Sequence, residues 1–327
     1  MQPATAPFHA SLAGFDGAAE ALWLEAQDGV RLRAVLFRPT VARSGSTTGA
    51  TPGTVLLFPG RTEYAEKYGH VAQALCAHGH HVLAIDWRGQ GLADRLLPDP
   101  LIGHVAHFSD YQHDVAALRD AVRTLGLPEP LHMLAHSMGG CIGLRAAMDG
   151  LDIASCAFSG PMWGIRISAM MRPAAWAVAW GSRRVGLSHR LAPGTGAASY
   201  IAGAEFDDNT LTTDRAMWDY MRAQIDAVPE FGLAGPSMHW LHEALGECRA
   251  LARRPSPALP CMTWVGGNER IVDVPRIHER MARWPGGSLE TVPGAGHEVL
   301  MTDENTRTRI LEACARHFAD SARGLAA

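Results

Sequence analysis

The apolar run Leu131-His132-Met133-Leu134-Ala135-His136 halts at Ser137 and passes at once into the helix-forming stretch Met138 to Met148. A strand that becomes a helix within one residue leaves the junction residue on a strained backbone, with no room for large side chains two positions to either side. Ala135 and Gly139 meet that demand, so Ala135-His136-Ser137-Met138-Gly139 reads as a nucleophile elbow. Glycine is usual at both flanks, and Ala135 departs from that form. A serine held this way needs a general base, a carboxylate to orient the base, and two main-chain N–H groups to face an oxyanion.

The rest of the chain alternates in a way that supplies such a junction. Ala21 to Ala26 and Val30 to Arg38 read as two strands about an Asp28-Gly29 turn, and a linker rich in Gly, Ser, Thr and Pro fills Ala42 to Gly53. Strands at Thr54 to Phe58, His81 to Asp86, Leu131 to His136 and Ile153 to Phe158 then alternate with helices at Glu63 to His78, Asp110 to Leu125 and Met138 to Met148. The order breaks at Pro161 and resumes near Pro260, with strands at Met262 to Val265 and Leu289 to Val292 and helices at Val274 to Arg283 and Glu304 to Ala322. Such alternation predicts an α/β fold with a mostly parallel eight-stranded sheet and helices on both faces. Residues 1–160 and 256–327 would form its core, and 161–255 an inserted helical cap.

Composition excludes several classes. The 327 residues are 47% hydrophobic, enough for a sizeable core. A formal net charge of −4 gives no broad basic surface for nucleic acid. Lys67 is the one lysine among 29 basic residues, a bias that reads as codon usage. Six cysteines without a C-x-x-C spacing lie mostly in apolar segments and read as reduced, buried thiols. Met1 to Leu24 lacks the basic start and apolar run of a secretory signal, and no stretch reaches the roughly 20 apolar residues of a membrane span. A soluble, cytoplasmic chain is expected, with room for peripheral membrane contact through the cap; oligomeric state is not legible.

The partners of Ser137 are sought in loops after strands. Thr54 to Phe58 ends in Pro59-Gly60-Arg61-Thr62-Glu63, where a glycine turn frees the Arg61 N–H as one oxyanion donor; the Met138 N–H, at the start of a helix, is the other. The base is His297, in the glycine-rich loop Val292-Pro293-Gly294-Ala295-Gly296-His297-Glu298 after the last strand. The other fifteen of the sixteen histidines compete with it. His78, His80 and His81 cluster where a helix turns into a strand, and His104 and His107 lack a third ligand, so no metal is assigned and no cofactor is expected. The acid should follow Met262 to Val265, where Glu269 and Asp273 both stand. Glu269 is preferred because it sits directly beyond the strand end, whereas Asp273 precedes Val274-Pro275 as a helix N-cap would.

With these residues placed, the chain resembles the bacterial lysophospholipase and monoacylglycerol lipase branch of the α/β-hydrolases. The likeness is carried by Phe58-Pro59-Gly60-Arg61-Thr62-Glu63 with Lys67-Tyr68, by Asp86-Trp87-Arg88-Gly89-Gln90-Gly91, by Arg95-Leu96-Leu97 with Gly103-His104-Val105 and Asp110-Tyr111, by the elbow, by Gly235-Pro236 before His239-Trp240, by Glu269-Arg270-Ile271-Val272-Asp273, and by Gly294-Ala295-Gly296-His297-Glu298. The resemblance implies an α/β-hydrolase fold and a triad of Ser137, Glu269 and His297. Most of the wider family has aspartate where this chain has Glu269, which keeps Asp273 in play.

The function so implied is cleavage of carboxylic esters of single-chain lipids, lysophospholipid or monoacylglycerol, through an acyl-enzyme. Acyl transfer through the same intermediate, and a non-catalytic hydrolase-fold binding protein, are the alternatives. The region from Pro161 to Pro260 holds five of nine tryptophans and six of thirteen methionines, which either line an acyl channel or pack cap against core. Arg183-Arg184 is either a contact for a lipid phosphate or a solvated pair.

Overall fold

Five consecutive strands present no polar face. β3 (Thr54–Phe58), β4 (His81–Asp86), β5 (Leu131–His136), β6 (Ser155–Ser159) and β7 (Cys261–Gly266) are buried almost throughout, as a parallel sheet covered on both sides requires. Side chains alternate between two cores. Leu56 and Phe58 of β3 join one face with Leu83, Ile85, Met133 and Ala135, while Val55 and Leu57 join the other with Val82, Ala84 and Leu134. Before them, β1 (Ala19–Glu25) and β2 (Arg31–Phe37) form the expected hairpin, whose turn places Gly29 at φ 82°. β8 (Ser288–Val292), half exposed, closes the opposite edge.

The computed structural model describes residues 3–39, 52–168, 170 and 172–326. The linker expected over Ala42 to Gly53 lies, up to residue 51, outside them. The sheet order is β1-β2-β4-β3-β5-β6-β7-β8, with β1/β2 and β2/β4 antiparallel and every other pair parallel. Helix α1 (Ala10–Ala13) precedes β1, and α2 (Gly69–Ala77), α3 (Tyr111–Thr124) and α4 (Ser137–Met148) lie between the strands from β3 to β6. Between β6 and β7 come α5 (Arg172–Arg184), α6 (Tyr200–Gly203), α7 (Arg215–Ala227) and α8 (Met238–Ala252). α9 (Val274–Met281) and α10 (Glu304–Ala326) follow the last strands. α3, α4 and α9 cover one face of the sheet, α2 and α10 the other. Among the described residues no helix is long and apolar enough to cross a membrane.

One boundary differs from the sequence expectation in a way that shapes the site. The helix expected from Glu63 begins instead with a 3₁₀ turn, Ala65–Tyr68, before α2. Thr62 is left-handed, with φ 68°, and the Glu63 carboxylate turns back to accept from Gly60 N, so both residues belong to the loop.

The segment between β6 and β7 is anchored to the core by its large side chains. Trp163 and Trp240 are buried on one face of the sheet, Trp218, Met217 and Met221 on the other. Phe231 stacks on Tyr64 with centroids 4.0 Å apart, and Gln224 Nε2 donates to Leu12 O at 2.7 Å. These tryptophans and methionines therefore pack against the core. Trp180 is the contrast, 52% exposed on α5.

Candidate active site

The strand order reverses beside β3, because β4 lies on one side of it and β5 on the other. Loops leaving the carboxyl ends of β3 and β5 diverge there, opening the crevice in which sheets of this kind bind ligands. Both loops carry residues singled out from the sequence. Ser137 follows β5 with φ 48°, a left-handed conformation unfavourable for any residue with a Cβ. The tightness of the turn is visible at Gly139, where a Cβ would lie 2.2 Å from Phe58 O and 2.5 Å from Pro59 O. Both obstacles are backbone, so the elbow and the β3 turn fit only with glycine at that position.

Two loops from the far end of the chain meet the serine. His297, after β8, places Nε2 2.8 Å from Ser137 Oγ, and its Nδ1 lies 2.7 Å from Glu269 Oε2. Glu269, after β7, also accepts from the Ile271 and Val272 amides at 2.6 and 3.1 Å through Oε1. Burial raises its pKa, but the bond and charge of His297 and these two amides outweigh burial and hold it below the ordinary carboxylate value. Asp273 is elsewhere. It occupies the N-cap position of α9 without a side-chain cap bond, and it lines a cavity of about 420 Å³ with Trp163, Arg249 and Arg276. The capping role expected from sequence is thus filled in position only.

The turn after β3 is braced from three sides. Trp87 Nε1 donates to Pro59 O at 2.9 Å, and Gln90 Nε2 donates to Gly60 O at 2.8 Å and Glu63 O at 3.0 Å. Gly60 N is taken by Glu63. The Arg61 amide has no partner among the described residues, and neither has the Met138 amide in the first turn of α4. Both candidate oxyanion donors are thus uncommitted.

Under the serine lies a buried charge network. Lys67 Nζ bridges Glu63 Oε1 and Glu298 Oε1, the latter at 2.6 Å, and Tyr68 OH donates to Glu63 Oε2. His136 gives Nδ1 to Ser159 O at 2.8 Å and holds Nε2 3.3 Å from Glu298 Oε2. Burial disfavours the charged ring of His136, but Glu298 and Glu63 overcome it and hold its pKa above the ordinary histidine value. Burial likewise works against Glu298, whose pKa Lys67 and His136 nonetheless pull well down. Glu63, His136 and Glu298 are close enough for a metal-binding trio, yet the Lys67 ammonium already bridges the two carboxylates.

The chain matches the family model described as serine aminopeptidase S33 over residues 49–305. It belongs to that α/β-hydrolase family. Lysophospholipase L2 of Escherichia coli K12 is 32% identical over 275 residues, covering 81% of this chain and 79% of the relative. A probable lysophospholipase L2 of Haemophilus influenzae is 29% identical, covering 81% and 82%. Among solved structures, a soluble variant of monoglyceride lipase from Saccharomyces cerevisiae superposes with a TM-score of 0.68 at 20% identity, covering 91% of this chain and 94% of that one. A thermostable carboxyl esterase from Bacillus coagulans gives 0.73 at 16%, covering 93% and 99%. At such identities the structural likeness concerns the fold.

In this S33-family chain the network of Glu63, Lys67, His136 and Glu298 emerges only in the fold. A signal existed: Lys67 is the chain's sole lysine, and His136 and Glu298 flank Ser137 and His297. Removing the ammonium leaves two buried carboxylates short of positive charge. Lys67→Met should therefore lose about 3–5 kcal/mol of stability, measured by urea denaturation. The raised pKa of His136 means that its contribution is full below its unfolded value, near 6.5, and lost as pH rises through the folded value. Stability measured against pH should show this loss in the parent chain and not in His136→Gln.

Proposed function

We propose that the chain is a carboxylic ester hydrolase acting on single-chain lipids, with Ser137 as nucleophile, His297 as base and Glu269 as the carboxylate that orients it. The observation that carries this reading is the continuous pair of bonds, 2.8 Å from Ser137 Oγ to His297 Nε2 and 2.7 Å from His297 Nδ1 to Glu269 Oε2. Lipid esters are favoured by the relatives named as lysophospholipases, the first of which is 32% identical over most of both chains.

In this reading Ser137 Oγ attacks the ester carbonyl carbon while its proton passes to His297 Nε2. The carbonyl oxygen becomes an oxyanion facing the uncommitted amides of Arg61 and Met138, where the amino end of α4 adds its dipole. Glu269 holds the Nδ1–H tautomer and steadies the imidazolium. Collapse breaks the ester C–O bond and His297 returns the proton to the departing glycerol oxygen. Water repeats the sequence on the acyl group, freeing the fatty acid and restoring the hydroxyl.

Residues 161–255 act in this proposal as a cap over the crevice that also meets the lipid surface. α5 and the turn that follows it support such a contact: Val178 and Trp180 on the helix and Val185 and Leu187 just after it are exposed, and Arg184 lies 4.4 Å over the Trp180 ring. An aromatic beside cationic side chains suits the headgroup level of an anionic bilayer. Arg183 is 3.6 Å from Glu243 and so is partly engaged within the protein.

Ser137→Ala should abolish release of p-nitrophenol from medium-chain esters, and an active Ser137→Ala preparation would remove the proposal. Glu269→Gln should lower kcat by about 10⁴, while Asp273→Asn should leave it within a few-fold; comparable losses in both would reassign the acid. Co-sedimentation with anionic vesicles should weaken about tenfold in Trp180→Ala/Val185→Ser, and unchanged binding would move the contact away from α5.

A further inference from the structure

Arginines buried or half-buried in this fold are nearly all neutralised or capped. Arg33 is paired with Glu66 and Asp86, Arg88 with Asp28 and Asp114, Arg145 with Glu247. Arg95 and Arg280 lack a carboxylate but donate to several carbonyls, Arg95 to Gly89, Gly91 and Glu230, Arg280 to Leu251 and Arg254. Arg61 is different. Its Nη2 donates to Ala234 O, its Nε is buried without a partner, and no carboxylate pairs with it among the described residues. Burial with no acid nearby lowers its pKa to about 10, so it remains a cation at neutral pH. Arg61 as a whole is half-buried, but a guanidinium whose Nε–H is buried without an acceptor is unfavourable unless an anion completes it.

Its position says which anion. Arg61 leaves the same turn whose amide is the candidate oxyanion donor, so its side chain starts beside the crevice at Ser137. The guanidinium extends into the seam between the core and the segment after α7, over Trp240 at 5.4 Å from the ring centroid. Space for it is kept by Gly103, where a Cβ would come 2.7 Å from Nη2. Nearby His104, whose Nδ1 is 2.9 Å from Ser237 Oγ, is pushed down to a pKa of about 4 mainly by burial and so supplies no competing charge. A planar fork with an unpartnered Nε–H suits phosphate oxygens.

We propose that Arg61 is the headgroup reader of this site, its guanidinium binding the phosphodiester oxygens of a single-chain phospholipid whose ester carbonyl lies at Ser137. The assignment rests on the hydrolase reading above and names the substrate class within it: lysophospholipids over uncharged monoacylglycerols.

The test compares lysophosphatidylethanolamine with a monoacylglycerol of the same acyl chain. In Arg61→Met the ratio of their kcat/KM values should fall by about 10–100-fold, the loss expected for charge-assisted hydrogen bonds, with Arg61→Lys intermediate. In the parent enzyme, glycerophosphoethanolamine should inhibit monoacylglycerol hydrolysis competitively, and glycerol at the same concentration should not. This second measurement needs no variant and so stands even if Arg61→Met folds poorly. A ratio unchanged in both variants, or no inhibition by the phosphodiester, would overturn the proposal while leaving ester hydrolysis intact. A parent enzyme inactive on every ester would instead defeat the hydrolase reading.

Discussion

The left-handed backbone at Ser137 is the constraint around which the site is arranged. A serine with φ 48° is held there because β5 is hydrogen-bonded between β3 and β6 and α4 packs directly behind it. The cost is met by contacts rather than by local preference: Gly139 lets the first turn of α4 lie against the Phe58 and Pro59 carbonyls. The same approach sets the turn after β3 beside the serine, so one steric fit places the Ser137 hydroxyl and the Arg61 and Met138 amides together.

Charge then fixes the three loops relative to one another. Glu63 belongs to the turn after β3, His136 is the residue before Ser137, Glu298 is the residue after His297, and Lys67 joins the two carboxylates. Each of these groups would be unfavourable if buried alone. Together they form a nearly neutral set that is satisfied only when all three loops are in place. A displacement of the histidine loop would separate Glu298 from Lys67, so the network resists the movement that would take His297 away from Ser137.

The segment between β6 and β7 has a different balance. Trp163, Trp218 and Trp240 give it a firm hold on the core, whereas α5 turns apolar and cationic side chains outward. Arg61 stands where these two characters meet, bonded to Ala234 in that segment yet rooted in the turn after β3. On the proposal that Arg61 reads the headgroup, substrate choice is linked to the seat of the segment on the core, since one side chain touches both.

Much of this was legible in the chain itself. Unbroken apolar runs such as Thr54 to Phe58 and Leu131 to His136 demand a sheet covered on both faces, and small residues flanking Ser137 demand a tight turn; both are local properties of the sequence. Glycine-rich loops after the last strands similarly marked His297 and Glu269 as candidates. Sequence spacing left Asp273 open because two carboxylates four residues apart share a loop, and only the path of that loop sends one to His297 and the other to α9. The helix expected from Glu63 failed for a related reason: a carboxylate bonded back to Gly60 held its own residue out of the helix. Glu63, Lys67, His136 and Glu298 are ordinary polar residues in one dimension, as is Arg61. Their significance comes from burial and from which charges burial brings together, and that is settled only when distant strands pair and their loops converge.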